Sequence, residues 1–365
     1  MTTSDEYEQH VLVTGGAGFI GSHCLDFLVS KYPQYHFTCM DSLNYASENS
    51  KKHLQNVLGK PNFTFIKIDL VTEYSALEKF IVDDFPNTQI THIINFAAES
   101  CVDRSFQNPI FFVKNNILCA QHLLECSRLL LDRYPHLHRE FTFLHISTDE
   151  VYGEQGVHEN AKENSALRPT NPYAASKAAT DLIVQSYYYS YNLPVVMIRA
   201  NNIYGPRQHN EKLVPMTINK LHLFLQQKNH DVMLDKITIH GDGSQKRKYL
   251  HVYDFLTALD LVWKKQRKNV SASSTPRPAG PQVFNVGSDD ELDNYSLVKH
   301  ICNCFFKKKF PSRKFDDSQF MVFVKNRNYN DARYSLNYDK IKQIGWMPQI
   351  SLDQGINELI NDTFE

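Results

Sequence analysis

Short apolar runs punctuate residues 10–200: "HVLVTG" (10–15), "HFTCMD" (36–41), "FTFIKID" (63–69), "HIINFAA" (92–98), "FTFLHIST" (141–148) and "VVMIRA" (195–200). Between them lie stretches such as "IGSHCLDFLVSKY" and "NILCAQHLLECSRLLLDRY", whose apolar residues recur at helical spacing. The strand runs are continuous rather than alternating, as strands covered on both faces should be. Strand and helix in alternation over this length predict an α/β protein built on a doubly wound parallel sheet. After Gly205 the pattern loosens. "NEKLVPMTINKLHLFLQQ" reads as a helix, "ITIHG" as a strand, "KYLHVYDFLTALDLVWKKQ" as a strand entering a helix, "VFNVGS" as a strand and "SLVKHICNCFFKKK" as a helix. The expected division is residues 1–200 as the doubly wound (Rossmann-type) domain, with a returning segment near 245–265. Residues 201–365 then form mainly a smaller, mixed α/β substrate lobe. The Ser/Pro-rich stretch 269–281 reads as a connecting loop.

Composition narrows the partners. The 365 residues are 42% hydrophobic and 22% charged, an ordinary globular balance, and the net charge of -1 offers no footprint for nucleic acid. Seven cysteines, at 24, 39, 101, 119, 126, 302 and 304, follow no disulfide framework and read as reduced thiols in a cytoplasmic protein. Cys302 and Cys304 stand too close for a usual zinc pair, so no metal site is expected. The polar start "MTTSDEYEQH" has no signal-like apolar region, and no run is long enough to span a bilayer.

"VLVTGGAGFIG" sets Gly15, Gly16, Gly18 and Gly21 between the first strand and the first helix. It reads as G-x-G-x-x-G from Gly16, or as G-x-x-G-x-x-G from Gly15. Glycines there let backbone N–H groups approach a pyrophosphate at the helix N-terminus. Asp41 closes the next strand, where a carboxylate bonds ribose hydroxyls. Ser42 follows it where a 2′-phosphate would want a base, so the reading is NAD rather than NADP. Asp69 and "FAAES" (96–100) end the third and fourth strands on the same edge; Asp69 either approaches the adenine or serves as a loop acid or helix cap.

Tyr173 and Lys177, in "NPYAASKAATD", lie four apart on one helix face. An adjacent ammonium lowers a phenol's pKa and fits Tyr173 for taking a proton from a sugar hydroxyl. The bland alternative is a surface tyrosine beside a surface lysine. "STDEVYG" ends a buried strand with Thr148, Asp149 and Glu150 in a row. Repulsion and burial together favour one acid protonated and its neighbour ionised, which suits an acid–base pair. Otherwise Asp149 caps a helix or pairs with an arginine, and Glu150 faces solvent.

Taken together, "TGGAGFIG", "AAES", "VDRS", "STDEVYG", "YAASK" and "NNIYGPRQ" make the chain resemble the extended short-chain dehydrogenase/reductase family over essentially its whole length. Within it the Thr-Asp-Glu run is most similar to the nucleoside-diphosphate-glucose 4,6-dehydratases, typified by dTDP-glucose 4,6-dehydratase. The resemblance implies transient oxidation of the sugar at C4 by NAD, loss of water across C5 and C6, and return of the hydride to C6. It makes Tyr173 the base at the 4-hydroxyl, aided by Thr148 and Lys177. Glu150 becomes the base at C5 and Asp149 the acid at the 6-hydroxyl. It implies NAD contacts at Gly15, Gly18, Phe19, Ile20, Gly21, Asp41, Ser42, Asp69, Leu70, Ala97, Ala98, Tyr173 and Lys177. Substrate contacts fall on Ser100, Asp103, Arg104, Asn202, Glu211, Lys212, Leu213, His240, Arg247, Asn285, Arg327 and Asn330.

It also implies a homodimer through helices near 115–133 and 173–190. Departures exist: "RKY" at 247–249 replaces the common "RDW", "RNYND" at 327–331 replaces "RPGHD", and Cys119 and His240 replace a glycine and a tyrosine. These leave thymidine and uridine both open as the nucleoside. Rival readings are a nucleotide-sugar 4-epimerase, which needs no acid pair, and a non-catalytic NAD-binding scaffold.

Overall fold

The structure is a computed structural model and describes residues 7–47, 50–227, 233–271 and 280–361. In chain order its strands are β1 (Gln9–Thr14), β2 (Tyr35–Asp41), β3 (Phe63–Lys67), β4 (Ile90–Asn95), β5 (Thr142–Thr148), β6 (Val195–Ala200), β7 (Asn202–Tyr204), β8 (Ile237–His240), β9 (Lys246–His251), β10 (Gln282–Val286), β11 (Glu291–Asp293) and β12 (Met321–Val324). The helices that bear on the site are α1 (Phe19–Lys31), α2 (Val102–Gln107), α3 (Pro109–Arg133), α4 (Pro172–Tyr191), α5 (Leu213–Leu225), α6 (Val252–Ser271), α7 (Asn294–Lys309) and α8 (Leu352–Asn361).

Seven strands, all parallel, form the central sheet in the order β10-β6-β5-β4-β1-β2-β3. Alternate residues of each strand feed opposite faces. Val11, Val13, Ile146 and Ile198 pack with Leu25 and Leu28 of α1 and with Phe255 and Trp263 of α6. Leu12, Ile93, Phe143 and Met197 pack with Leu123 and Leu130 of α3 and with Val184 and Tyr187 of α4. Two apolar layers on one sheet explain why the strand sequences are continuous rather than alternating. The winding reverses between β1 and β4, and a ligand crevice belongs at their carboxyl ends.

The doubly wound sheet expected from sequence is present, with one extension. The chain's return to it is longer than 245–265: α6 packs on α1, and β10 adds the seventh strand beyond β6. Most of 269–281 lies outside the described residues. The remaining elements form a smaller mixed lobe. Its three-stranded sheet, β11-β9-β7, pairs β7 and β9 in parallel and β11 against β9; a two-stranded sheet joins β12 to β8. Its core gathers Ile218 and Phe224 of α5, Ile301 and Phe305 of α7, and Ile356 and Leu359 of α8.

Candidate active site

A cleft between the central sheet and the smaller lobe collects most of the residues singled out above. Its floor begins at the turn from β1 into α1. Gly15 adopts φ +67°, and a Cβ there would lie 2.7 Å from the Ala97 nitrogen. A Cβ on Gly21 would lie 2.3 Å from the Gly15 carbonyl oxygen. Both positions therefore require glycine, which keeps the first turn of α1 open to a ligand. Gly18 caps α1, and Phe19, Ile20, Ser42, Leu70, Ala97 and Ala98 line the same wall. The Asp41 carboxylate accepts from Ala17 N (3.0 Å), Leu43 N (2.8 Å) and Ser47 Oγ (3.2 Å). A carboxylate has about four lone-pair positions, so one remains for a ribose hydroxyl. Asp69 also lines the cleft, with Oδ1 accepting from Val71 N at 2.8 Å, so its loop-turn role and its place in the wall coexist. Glycines crowded to this degree, with Asp41 facing the cavity, fit NAD.

Tyr173 sits in the first turn of α4, which Asn171 caps by accepting from Ala174 N at 2.8 Å. With its oxygen thus committed, Asn171 turns its amide N–H toward Glu150 Oε2, 3.1 Å away. One cap residue starts the helix and anchors the acid, which also lies 3.5 Å from the Tyr334 hydroxyl. Glu150, Thr148, Tyr173 and Lys177 all line the cleft.

Lys177 shares the tyrosine's helix face, but its Nζ donates to the Ile146 carbonyl at 2.8 Å. Burial brings this ammonium down to about 8, opposed by the charge of Asp181 one turn later. The expected lowering of the phenol by Lys177 is not found. Burial first, then the charges of Glu150 and Asp149, hold Tyr173 well above the usual tyrosine range, opposed by the Thr148 hydroxyl.

The two acids stand in different places. Burial pushes Asp149 up to about 7, and the neighbouring charge of Glu150 adds to it; the hydrogen bonds from Asn201 (2.9 Å) and Thr148 (3.2 Å) pull the other way. Asp149 is 3% exposed and stands directly behind Thr148 rather than in the cleft wall where it was expected. The reason is Asn201, whose amide draws the carboxyl inward.

From the smaller lobe and its approaches, Ser100, Asp103, Asn202, Glu211, Lys212, Leu213, His240, Arg247, Arg327 and Asn330 reach the wall. Lys212 Nζ donates to the Ser100 carbonyl at 2.7 Å, and Glu211 accepts from the Tyr45 hydroxyl at 3.1 Å. Arg247 lies over the Tyr334 ring at 4.4 Å and donates to the Asp331 carbonyl (2.9 Å) and to Asn330 Oδ1 (3.2 Å). Arg327 pairs with Asp103, Nη2 donating to Oδ2 and Nε lying beside Oδ1, each at 2.7 Å, and both residues line the cleft.

Two expected contacts fall elsewhere. Asn285 is wholly buried. Its Oδ1 accepts from the Tyr152 hydroxyl at 2.8 Å, and its amide donates to the Ala161 (2.9 Å) and Asn337 (3.0 Å) carbonyls, leaving nothing for a ligand. Arg104 is not in the wall either; its guanidinium covers the back of the Tyr45 ring, 3.4 Å from the centroid.

Several site residues went unnoticed in the sequence. Asn116, inside α3, accepts from Glu99 N at 2.7 Å and donates to Ser176 Oγ at 2.9 Å, tying the β4 exit to the tyrosine's helix. Its signal was an asparagine pair within an apolar helix. Glu99 is buried in the wall and receives the Asn44 amide at 2.5 Å. Asn171 carried a cap signal, an asparagine before a proline at a helix start. Asn201 and Tyr334 carried none.

Comparison with known proteins places this arrangement. The family described as GDP-mannose 4,6 dehydratase matches residues 12–359. An uncharacterised protein of Schizosaccharomyces pombe is 56% identical over 359 residues, 98% of each chain. The dTDP-D-glucose 4,6-dehydratase of Dictyostelium discoideum is 34% identical over 97% of this chain and 81% of its own. Among solved structures, DesIV, the dTDP-glucose 4,6-dehydratase of Streptomyces venezuelae with NAD and TYD bound, is similar with a TM-score of 0.80, at 30% identity over 96% of both chains.

Proposed function

We propose, for a chain that belongs to the extended short-chain dehydrogenase family of nucleotide-sugar 4,6-dehydratases, a division of labour among the residues of this cleft. The enzyme is an NAD-dependent lyase that converts a nucleoside-diphosphate-glucose to its 4-keto-6-deoxy product. NAD, which the glycine cradle and Asp41 would hold, would supply reversible hydride transfer at the sugar's C4 and C6. Tyr173 removes the proton of the 4-hydroxyl as a phenolate, and Thr148 shares that hydroxyl. This requires the phenol that burial holds high to be lowered when a positively charged nicotinamide fills the cleft beside Lys177. The resulting C4 ketone acidifies the hydrogen on C5. Glu150, held in the cleft wall by the Asn171 amide, takes it as the base. Asp149, holding its proton into the neutral range, supplies the departing 6-hydroxyl through Thr148, which stands between them: Thr148 gives up its hydroxyl proton and takes the acid's in exchange. Two consecutive acids, Glu150 in the cleft wall and Asp149 buried behind Thr148 with its carboxyl pushed up, are the observation that carries this reading. A 4-epimerase needs neither.

Asp41 receives the cofactor's ribose, and Asp69 lies toward its adenine. Arg247 and Arg327 suit the substrate's diphosphate, since planar guanidinium groups from separate segments give fixed, bidentate donors. For Arg327 this means exchanging Asp103 for phosphate. Exposed Phe111, Leu182, Tyr189 and Tyr191 on α3 and α4 support a homodimer formed there. All seven cysteines are free, six of them buried, which supports a reducing cytoplasm; no described helix is long and apolar enough to cross a membrane. Incubation with dTDP-glucose and with UDP-glucose separately, reading product masses, tests the reading. Loss of one water identifies the accepted nucleotide, and an unchanged mass with both rejects dehydration.

A further inference from the structure

Outside the cleft, on the smaller lobe, three side chains with metal-binding chemistry converge. His300 and Cys304 are four residues apart in α7, one turn apart on one face. Asp353 meets them from the first turn of α8. His300 Nε2 lies 3.5 Å from Asp353 Oδ1 and 3.7 Å from Cys304 Sγ, and Cys304 Sγ lies 3.9 Å from Asp353 Oδ1. All three edges of the triangle are short, and none of its corners lines the catalytic cleft. A tetrahedral zinc ion, with bonds of ~2.0–2.1 Å to nitrogen or oxygen and ~2.3 Å to sulfur, holds its ligand atoms roughly 3.3–3.6 Å apart. The observed triangle exceeds those edges by only a few tenths of an ångström.

Its chemistry is mixed in the manner of a zinc site: one imidazole, one thiol and one carboxylate, contributed by two helices. Spacing alone concealed it, because Cys304 was read against Cys302. Two residues apart on a helix, those thiols diverge. Cys302 is wholly buried in the core, while Cys304 faces His300 and Asp353. His300 and Cys304 are half-buried and Asp353 is exposed, so a fourth coordination position faces solvent.

We propose that His300, Cys304 and Asp353 form a site for a zinc-type divalent cation, completed by water, that clips α7 to α8. On binding, the Cys304 thiol gives its proton to solvent, and thiolate, imidazole and carboxylate coordinate the ion with no change of oxidation state, so affinity rises with pH. None of its residues lines the cleft, so the site is structural rather than catalytic.

The test titrates chelator-stripped full-length protein with Co(II) alone and reads its absorption spectrum. One equivalent should develop the visible bands of tetrahedral cobalt together with a thiolate-to-cobalt charge-transfer band, and Zn(II) should bleach both. Cys304→Ala should remove the charge-transfer band, and His300→Asn should weaken binding at least roughly tenfold. Zn(II) should raise the unfolding midpoint of the wild type and leave that of Cys304→Ala unmoved. The apolar faces of α7 and α8 remain intact in both variants, and turnover on nucleotide sugar verifies that each is folded. Absence of the charge-transfer band in the wild type, or its persistence in Cys304→Ala, overturns the proposal and leaves an ordinary interhelical hydrogen-bond cluster. His300→Asn decides in the same way should Cys304→Ala fail to fold: unchanged cobalt affinity there overturns it too.

Discussion

Replacing Asp149 by Asn separates the acid's role in chemistry from its effect on stability. In the unfolded chain this carboxyl titrates near 3.8; in the fold it is pushed up to about 7. A folded-state value raised above the unfolded one means that the folded protein holds the proton more tightly. Stability from this group is thus greatest below pH 3.8, falls as pH rises toward 7, and is level above that. A difference of about three pH units corresponds to roughly 4 kcal/mol at pH 8. Asparagine carries no charge at any of these pH values, and its oxygen can still accept from Asn201. The Asp149→Asn variant should therefore be more stable than wild type at pH 8, by up to ~4 kcal/mol, with the gap narrowing to roughly 1–2 kcal/mol at pH 5. Urea unfolding of both proteins at the two pH values reads this directly. The variant should also lose dehydration, since an amide has no proton to give the leaving hydroxyl. A stability gap that ignores pH, or a variant weaker at pH 8, would show that Asp149 is ionised in the fold and cannot be the acid.

Gly21→Ala forces a Cβ against the Gly15 carbonyl oxygen, so the purified variant should retain its fold by circular dichroism but carry no NAD; full cofactor content would mean the cradle is not the pyrophosphate site. Asp103→Asn frees Arg327 of a half-exposed competitor worth ~0.2–1 kcal/mol, so KM for the nucleotide sugar should fall roughly 1.5- to 5-fold. A KM that stays or rises removes Arg327 from diphosphate binding. Leu182→Glu places a charge at a position that is 56% exposed on α4; with the interface there, sedimentation should find dimers for the wild type and monomers for the variant. An unchanged mass for this variant would move the interface elsewhere.

What the sequence made legible was local. The strand runs were found to within a few residues because each is an uninterrupted apolar segment between turn signals. The cradle was readable because its glycines are spaced within one turn, although the contact that demands Gly15 comes from Ala97 at the exit of β4. Tyr173 and Lys177 were readable because four residues make one helical turn. The direction of the lysine was not, since the Ile146 carbonyl that receives its ammonium belongs to β5, 31 positions earlier in the chain.

The failures are long-range in the same sense. Asn285 ends a strand beside the cleft, yet its partners are Tyr152, Ala161 and Asn337, which no spacing rule connects. They belong to a polar row beneath the cleft. There Arg199 donates from Nε to Asp181 at 2.7 Å and from Nη1 to the Tyr152 hydroxyl at 2.7 Å. Arg104 was displaced by Tyr45, 59 positions away in the chain. Asp149 was drawn back by Asn201 from the end of β6.

Glu150→Gln offers the most direct test of why two acids stand at the end of β5. The variant keeps Tyr173, Thr148 and Lys177, so adding nucleotide sugar should produce reduced nicotinamide absorbance that persists, while mass spectrometry of the sugar shows no loss of water. Ordinary turnover to the 6-deoxy product in that variant would contradict the account, because oxidation would then be followed by elimination without the base assigned to C5.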